Sequence, residues 1–382
     1  MPLTSRERVI KTINHQEPDR VPVDFTPLYD FYLDLKQYLG LEIEEDVGYN
    51  IAMEVIPHPD VLRKLGVDLI SVKLGSPVTP KKEARSDGLV QDEWGVLFKQ
   101  VFQPGGGRYH EVVDSPLKDA TMDDLDTYPW PVPDMPGRGE KAELSAKRLY
   151  EDTDLAIVGR FGGAILDAAV YLLGMETWMV RLAKDKAFID RFLEKITDVQ
   201  IALDRIGLEA AGKYIQIFKA SGEDLGMQMG PLYSMKMFRE QLLPHFRRRY
   251  RAAREILNEV NPSARIMLHS CGSIRAFLPD LIESEIDIID PIQPYAAGMD
   301  SAELKRDFGD RLCFHGGVDI QQVLPFGTKE DIIREARTRI QALGKGGGYI
   351  LAPAHNVQAD VPPENLVTLY EAARRYAGYP MG

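Results

Sequence analysis

Residues 265–279 read RIMLHSCGSIRAFLP. The stretch begins as a β-branched and apolar run, passes through His-Ser-Cys-Gly, and continues with Ile274, Phe277 and Leu278 at helical spacing. That order predicts a strand, a turn and the start of a helix. Residues two apart on a strand share a face, so His269 and Cys271 point the same way at the strand's end. An imidazole and a thiolate converging there are ligands of the kind zinc prefers. The pair alone is a weak signal, more often a core thiol beside a hydrogen-bonded histidine.

The same unit recurs on both sides. Strands are predicted at 20–25, 68–74, 155–161, 214–221, 286–292, 312–318 and 349–352, which with the first make eight, and amphipathic helices alternate with them. Eight such units imply an α/β chain folded as a (β/α)8 TIM barrel, with parallel strands inside and helices outside. An N-terminal helix, capped by Thr4 and Ser5 and stopped before Pro18, precedes the first strand. Pro22 gives that strand the character of an edge or barrel entry. A doubly wound sheet would place a Gly-rich phosphate turn after its first strand, where Asp24-Phe25-Thr26-Pro27 stands instead. The glycines at 344–348 precede a strand and read as a helix stop.

Residues 77–136 break the alternation. Two segments rich in β-formers flank Pro104-Gly105-Gly106-Gly107, which predicts a β-hairpin insertion in a single domain spanning 1–382. The insertion would serve as a lid or in a homodimer contact.

A formal charge of −12 argues against general affinity for nucleic acid or anionic membrane. The two cysteines, Cys271 and Cys313, exclude a disulfide framework and fit a reducing compartment. The start MPLTSRERVIKTINHQEPDR lacks the apolar core of a signal peptide, and no apolar run reaches membrane-spanning length, so a cytoplasmic location is expected.

Active sites of (β/α)8 barrels lie at the carboxyl ends of the strands. The polar residues predicted there are Asp24, Arg160, Glu223, Asp224, His269, Cys271, Gln293, His315, Asp319, His355 and Asn356. His355, at the end of the eighth strand, is the best third metal ligand. Glu223 or Asp224 would be a fourth ligand, a proton donor or an orienting partner, or else a cap on the next helix. His315 is a catalytic candidate whose alternative is a packed rim residue. Arg160 would clamp a substrate carboxylate or pair with a loop acid. Asp24, Gln293, Asp319 and Asn356 are expected around the substrate, Asp24 and Asp319 alternatively as salt-bridge partners. Cys313 reads as core.

Four segments carry a family resemblance: RERVIKTINHQEPDRVPVDF (6–25), GEDLGMQMGPLYS (222–234), the run from HSCGS to HGGVD (269–319) and ILAPAHNVQADVPPENL (350–366). They resemble the uroporphyrinogen decarboxylase superfamily, and in detail its branch of corrinoid-dependent zinc methyltransferases. The resemblance implies a (β/α)8 barrel holding Zn2+ with a His-x-Cys pair and a later cysteine just before Pro-x-Glu-Asn. His269 and Cys271 match the pair. The later cysteine falls on His355, which is itself a good zinc ligand.

One thiolate fewer makes a less negative and more Lewis-acidic centre, suited to a leaving oxygen. The resemblance therefore implies demethylation of a small methylated substrate, an O-methyl donor by preference, onto a corrinoid (cobalamin). No Asp-x-His-x-x-Gly segment occurs, so the corrinoid would arrive on a separate corrinoid-binding protein. The alternatives are a metal-free decarboxylase or lyase, methyl transfer to a thiol of the coenzyme M type, and a non-catalytic binding barrel. Decarboxylation of a porphyrinogen calls for an arginine-rich segment after the first strand, where PVDFTPLYDFYLDLKQY (22–38) has none.

Overall fold

The computed structural model describes residues 3–45, 47–48, 50–76, 88–102 and 106–379. Its strands are β1 (Leu69–Lys73), β2 (Leu89–Gln91), β3 (Leu97–Phe102), β4 (Arg108–Asp114), β5 (Ala156–Arg160), β6 (Ile217–Ala220), β7 (Gly226–Met227), β8 (Gly230–Pro231), β9 (Arg265–His269), β10 (Ile288–Ile292), β11 (Cys313–Val318) and β12 (Tyr349–Pro353). Seven of them form one curled parallel sheet in the order β1-β5-β6-β9-β10-β11-β12. Helices such as Lys186–Ala211, Leu243–Val260, Lys329–Leu343 and Pro363–Tyr376 run between them, with their apolar faces buried.

The structure departs from expectation at the first predicted strand. Residues 20–25 supply an extended segment rather than a full strand. Toward β12, Leu351 N–H donates to the Pro22 carbonyl and Asp24 N–H to the Leu351 carbonyl, and Val23 bridges Leu351 in parallel. Toward β1 the backbone link is Asp68 N–H to the Val23 carbonyl, at 2.9 Å. Proline has no N–H to give, and the carboxylate of Asp68 takes the Val23 N–H at 2.8 Å. Arg8 and Arg20 in turn hold Asp68, at 2.6 and 2.7 Å. A side-chain cluster thus completes a seam that a ladder would otherwise close, and the barrel has its eighth stave.

Alternation along the strands fills the interior in layers. At the amino-terminal end Leu69, Ala156, Ile217, Met267, Ile288, Cys313 and Ile350 pack together, and Val9 and Ile13 of the helix Ser5–Ile13 plug them from below. Thr4 and Glu7 form a capping box that starts this helix where the plug is needed.

Strands β2, β3 and β4 make a separate antiparallel sheet, so the predicted hairpin exists, with Phe102 opposite Arg108 across its turn. Residues 77–87 and 103–105, including Pro104 and Gly105, lie outside the described residues. The sheet is fastened to the barrel by Arg108 to Asp30 at 2.6 Å and by the edge of Phe98 on Tyr171, ring centroids 5.8 Å apart. That fastening carries Trp94 and Val96 over the barrel mouth.

Candidate metal centre and active site

Counting inward residues up each strand by twos ends in a charged layer: Lys73, Arg160, Lys219, His269, Asp290 and His315. These side chains are satisfied chiefly by one another. Asp290 is buried and receives three partners, Lys219 Nζ at 2.6 Å, His315 Nδ1 at 2.6 Å and His269 Nδ1 at 2.8 Å. Burial opposes its charge, but Lys219 and His315 outweigh it and hold the carboxyl far below the usual range. His315 bridges onward through Nε2 to Asp24 at 3.0 Å. Burial works against the imidazolium, yet Asp290 and Asp24 prevail and raise His315 to about 9.

The three predicted ligands come together although β9 and β12 are not neighbours. Among the described residues, His269, Cys271 and His355 are the one group of three or more whose ligand atoms all lie within 4.8 Å of one another. Asp290 engages His269 Nδ1, which directs Nε2 to a point 3.4 Å from Cys271 Sγ. Tetrahedral zinc, with Zn–S about 2.3 Å and Zn–N about 2.0 Å, sets its nitrogen and sulfur ligands about 3.5 Å apart. The donor set fits that ion.

Burial and then His269 pull His355 down to about 4, leaving a neutral imidazole with a lone pair to give. Burial, then Asp224 and Asp290, push the Cys271 thiol up, a penalty a bound cation removes.

Gln293 positions both ligand loops. Its Oε1 accepts Gly272 N–H at 2.6 Å and its Nε2 donates to the Ala354 carbonyl at 3.3 Å. Gly272 has φ +80°, and a Cβ there would meet the Gly226 backbone at 2.4 Å, so glycine alone allows the turn after Cys271.

A cavity of about 460 Å3 opens beside the triad. Among the expected residues it is lined by Arg160, Asp224, His269, His355 and Asn356. Arg160 and Asn356 both turn to Glu54, at 2.8 and 3.1 Å. Asp224 accepts the Cys271 N–H at 2.9 Å. Glu223 is buried and accepts the Ile165 and Leu166 N–H groups at 2.7 Å each, capping the helix Ile165–Leu173 beside Arg249. Asp319 accepts three amides, from Gln321, Gln322 and Val323, away from the cavity.

Sequence reasoning missed Glu54, Lys73, Asp167, Lys219 and Asp290. Burial opposes ionisation of Glu54, but Arg160, Lys73 and Lys219 hold it well below the carboxylate range. Burial and then Arg160 bring Lys73 down to about 8. Lys73, Lys219 and Asp290 carried a readable signal, each being a charge on the inward face of an apolar strand. Glu54 and Asp167 lie in a loop and a helix, where no such pattern marks them.

Residues 105–376 match the family model described as uroporphyrinogen decarboxylase (URO-D). The chain belongs to the uroporphyrinogen decarboxylase family. A curated member of that name from Syntrophotalea carbinolica is 24% identical over 300 residues, covering 73% of this chain and 78% of that protein. Another, from Chlorobium phaeovibrioides, is 26% identical over 193 residues, covering 49% of each. A solved structure, a methyltransferase from Methanosarcina mazei, superposes with a TM-score of 0.62 at 18% identity and covers 98% of this chain and 99% of that one. At this identity the likeness is one of fold, shared along nearly the whole of both chains. No helix among the described residues is long and apolar enough to cross a membrane.

Proposed function

We propose that this family member is a zinc-dependent methyltransferase that moves a methyl group between a small methylated substrate and the cobalt of a corrinoid carried by a separate protein. The observation that carries the reading is the triad of His269, Cys271 and His355, with one imidazole already oriented by Asp290. Zinc held there supplies Lewis acidity toward the heteroatom that bears the methyl group. The chain's own residues prepare the place. Asp290 fixes the ring of His269, Gln293 ties the two ligand loops together, and Asp224 anchors the backbone of Cys271. Trp94 and Val96 cover the cavity and restrict water. With two imidazoles and one thiolate the centre favours an oxygen leaving group, so demethylation of an O-methyl donor is the preferred direction, ahead of transfer to a thiol.

The name of the curated relatives supports a second reading, decarboxylation of a porphyrinogen. Charge disfavours it. The cations lining the cavity, Arg160 and Lys219, are engaged by Glu54 and Asp290, whereas a substrate with many carboxylates needs cationic donors left over.

Elemental analysis of chelator-free protein tests the proposal. About one zinc per chain in the wild type, lost in Cys271→Ser and His355→Ala, supports it and directs assays to methoxylated, methylamine and methylthio donors with a reduced corrinoid protein. Metal absent from wild type and variants alike refutes it.

A further inference from the structure

One carboxyl on the cavity wall has neither an ion pair nor a hydrogen bond among the described residues. Asp167 lies in the first turn of the helix Ile165–Leu173 and lines the cavity. Glu223 already caps that helix, so Asp167 is not needed for it. The hydrogen bonds and ion pairs of the described residues leave its carboxyl without a partner.

Gly222 relates Asp167 to the metal centre. A Cβ at that position would stand 3.1 Å from Cδ2 of His269 and 3.6 Å from Oδ2 of Asp167, so the imidazole and the carboxyl border one small space. Trp94, Val96 and Tyr171 form the apolar side of the same cavity. The other charged groups outside the triad are engaged: Arg160 with Glu54, Lys219 with Asp290, Asp224 with the Cys271 amide, and Asp92 with the Trp94 and Val96 amides.

Resting on the methyltransferase reading, we infer that Asp167 is the specificity-determining residue of the cavity. It pairs with a hydroxyl or N–H group that the substrate carries beside its methylated atom, and so selects donors bearing such a group and rejects those bearing a carboxylate. Burial and then Asp224 push the Asp167 carboxyl up to about 7, so a second anion alongside costs either like-charge repulsion or the uptake of a proton.

Titration calorimetry on the zinc-loaded full chain tests this with three probes of one shape: 2-methoxyphenol, 1,2-dimethoxybenzene and 2-methoxybenzoate. Wild type is expected to bind 2-methoxyphenol about tenfold or more tighter than 1,2-dimethoxybenzene, and 2-methoxybenzoate weakest. In Asp167→Ala the first ratio falls to about one, and in Asp167→Asn the penalty on the benzoate shrinks, with zinc content and melting temperature unchanged in both.

Equal affinity of wild type for the two ethers overturns the inference, as does a ratio that survives Asp167→Ala, a preference for the benzoate, or no binding of any probe. Loss of zinc in Asp167→Ala overturns it also, by making Asp167 part of the metal site. Zinc content of the wild type judges the methyltransferase reading separately, so the two can fail independently.

Discussion

The molecule contains two cysteine–histidine pairs, one at each end of the barrel. At the mouth, Cys271 Sγ lies 3.4 Å from His269 Nε2. At the base, Cys313 Sγ lies 3.6 Å from His15 Nε2. Ligand types and spacing are nearly the same, and burial pushes both thiols up, Cys313 to about 12. Their surroundings differ in every respect that matters for chemistry. His269 has its other nitrogen on Asp290, His355 completes a triad, and a cavity opens beside it. His15 has a buried Nδ1 without a hydrogen-bond partner, and Cys313 is sealed among Val9, Ile13 and the strand residues around them. A Cys–His contact becomes a candidate metal centre through its third ligand, its orienting carboxylate and its access, not through the pair itself.

If the base is structure and the mouth is chemistry, the largest stability effect belongs near the base. Asp68 is buried with Arg8 and Arg20 and accepts the Val23 N–H, which closes the barrel. Asp68→Ala leaves Arg20 without a carboxylate and Arg8 with Asp19 alone, and urea unfolding should show a loss of about 3–5 kcal/mol with zinc content per folded chain unchanged. A drop in zinc per folded chain would mean that the seam supports the metal site as well.

The next effect belongs to the mouth. Asp290→Asn keeps the shape but weakens the grip on His269, leaves Lys219 without its carboxylate and leaves His315 with Asp24 alone. Zinc affinity, measured by competition with a chelator, should fall about 10- to 100-fold. Unchanged affinity would remove the orienting carboxylate from the list of features that separate the two pairs.

A third effect is read through pH. The folded value of His315 lies at about 9, above its ordinary 6.5, so its contribution to stability is fully present below about pH 6.5 and fades as pH rises toward 9. Chemical denaturation should show a decline of about 3 kcal/mol across that window, absent in His315→Gln. A decline that persists in the variant would assign it to another group.

Much of this contrast was legible in the sequence. Period-two alternation gave His269 and Cys271 a common face, and the repeated strand-helix unit placed His355 on the same rim. It also made Cys313 core, as found. Residues 20–25 were harder, because Pro22 denies the segment a regular ladder and the compensating carboxylate comes from Asp68, 45 residues away from Val23. At the rim, Arg160, His269 and His315 on their strands were counted, while Lys73, Lys219 and Asp290 on the same inward faces were passed over. Lys219 in IFKA and Asp290 in IIDPI sit where an aliphatic side chain would be expected, and they prove to be partners in one ion pair. Asp319 looked no different from Asp224 in sequence. Only the turn geometry, which wraps three amides around Asp319 and one around Asp224, separates them.

The smallest effect is the control on which the comparison turns. Cys313→Ala removes a buried sulfur whose contacts are the Thr12 carbonyl at 3.8 Å and His15. The site is a small one in a packed layer, and deleting one atom's worth of contact should cost about 1 kcal/mol, seen as a modest shift of the urea midpoint with an unchanged slope. Zinc content and methyl transfer should match the wild type, because no third ligand stands beside this pair among the described residues. Loss of metal on this substitution would show that the two ends of the barrel are coupled through strands β9 to β12. Without such a loss, position along the strand decides what a cysteine beside a histidine does, since two residues further along β6, β9, β10 and β11 the inward side chains turn from apolar filling into Lys219, His269, Asp290 and His315.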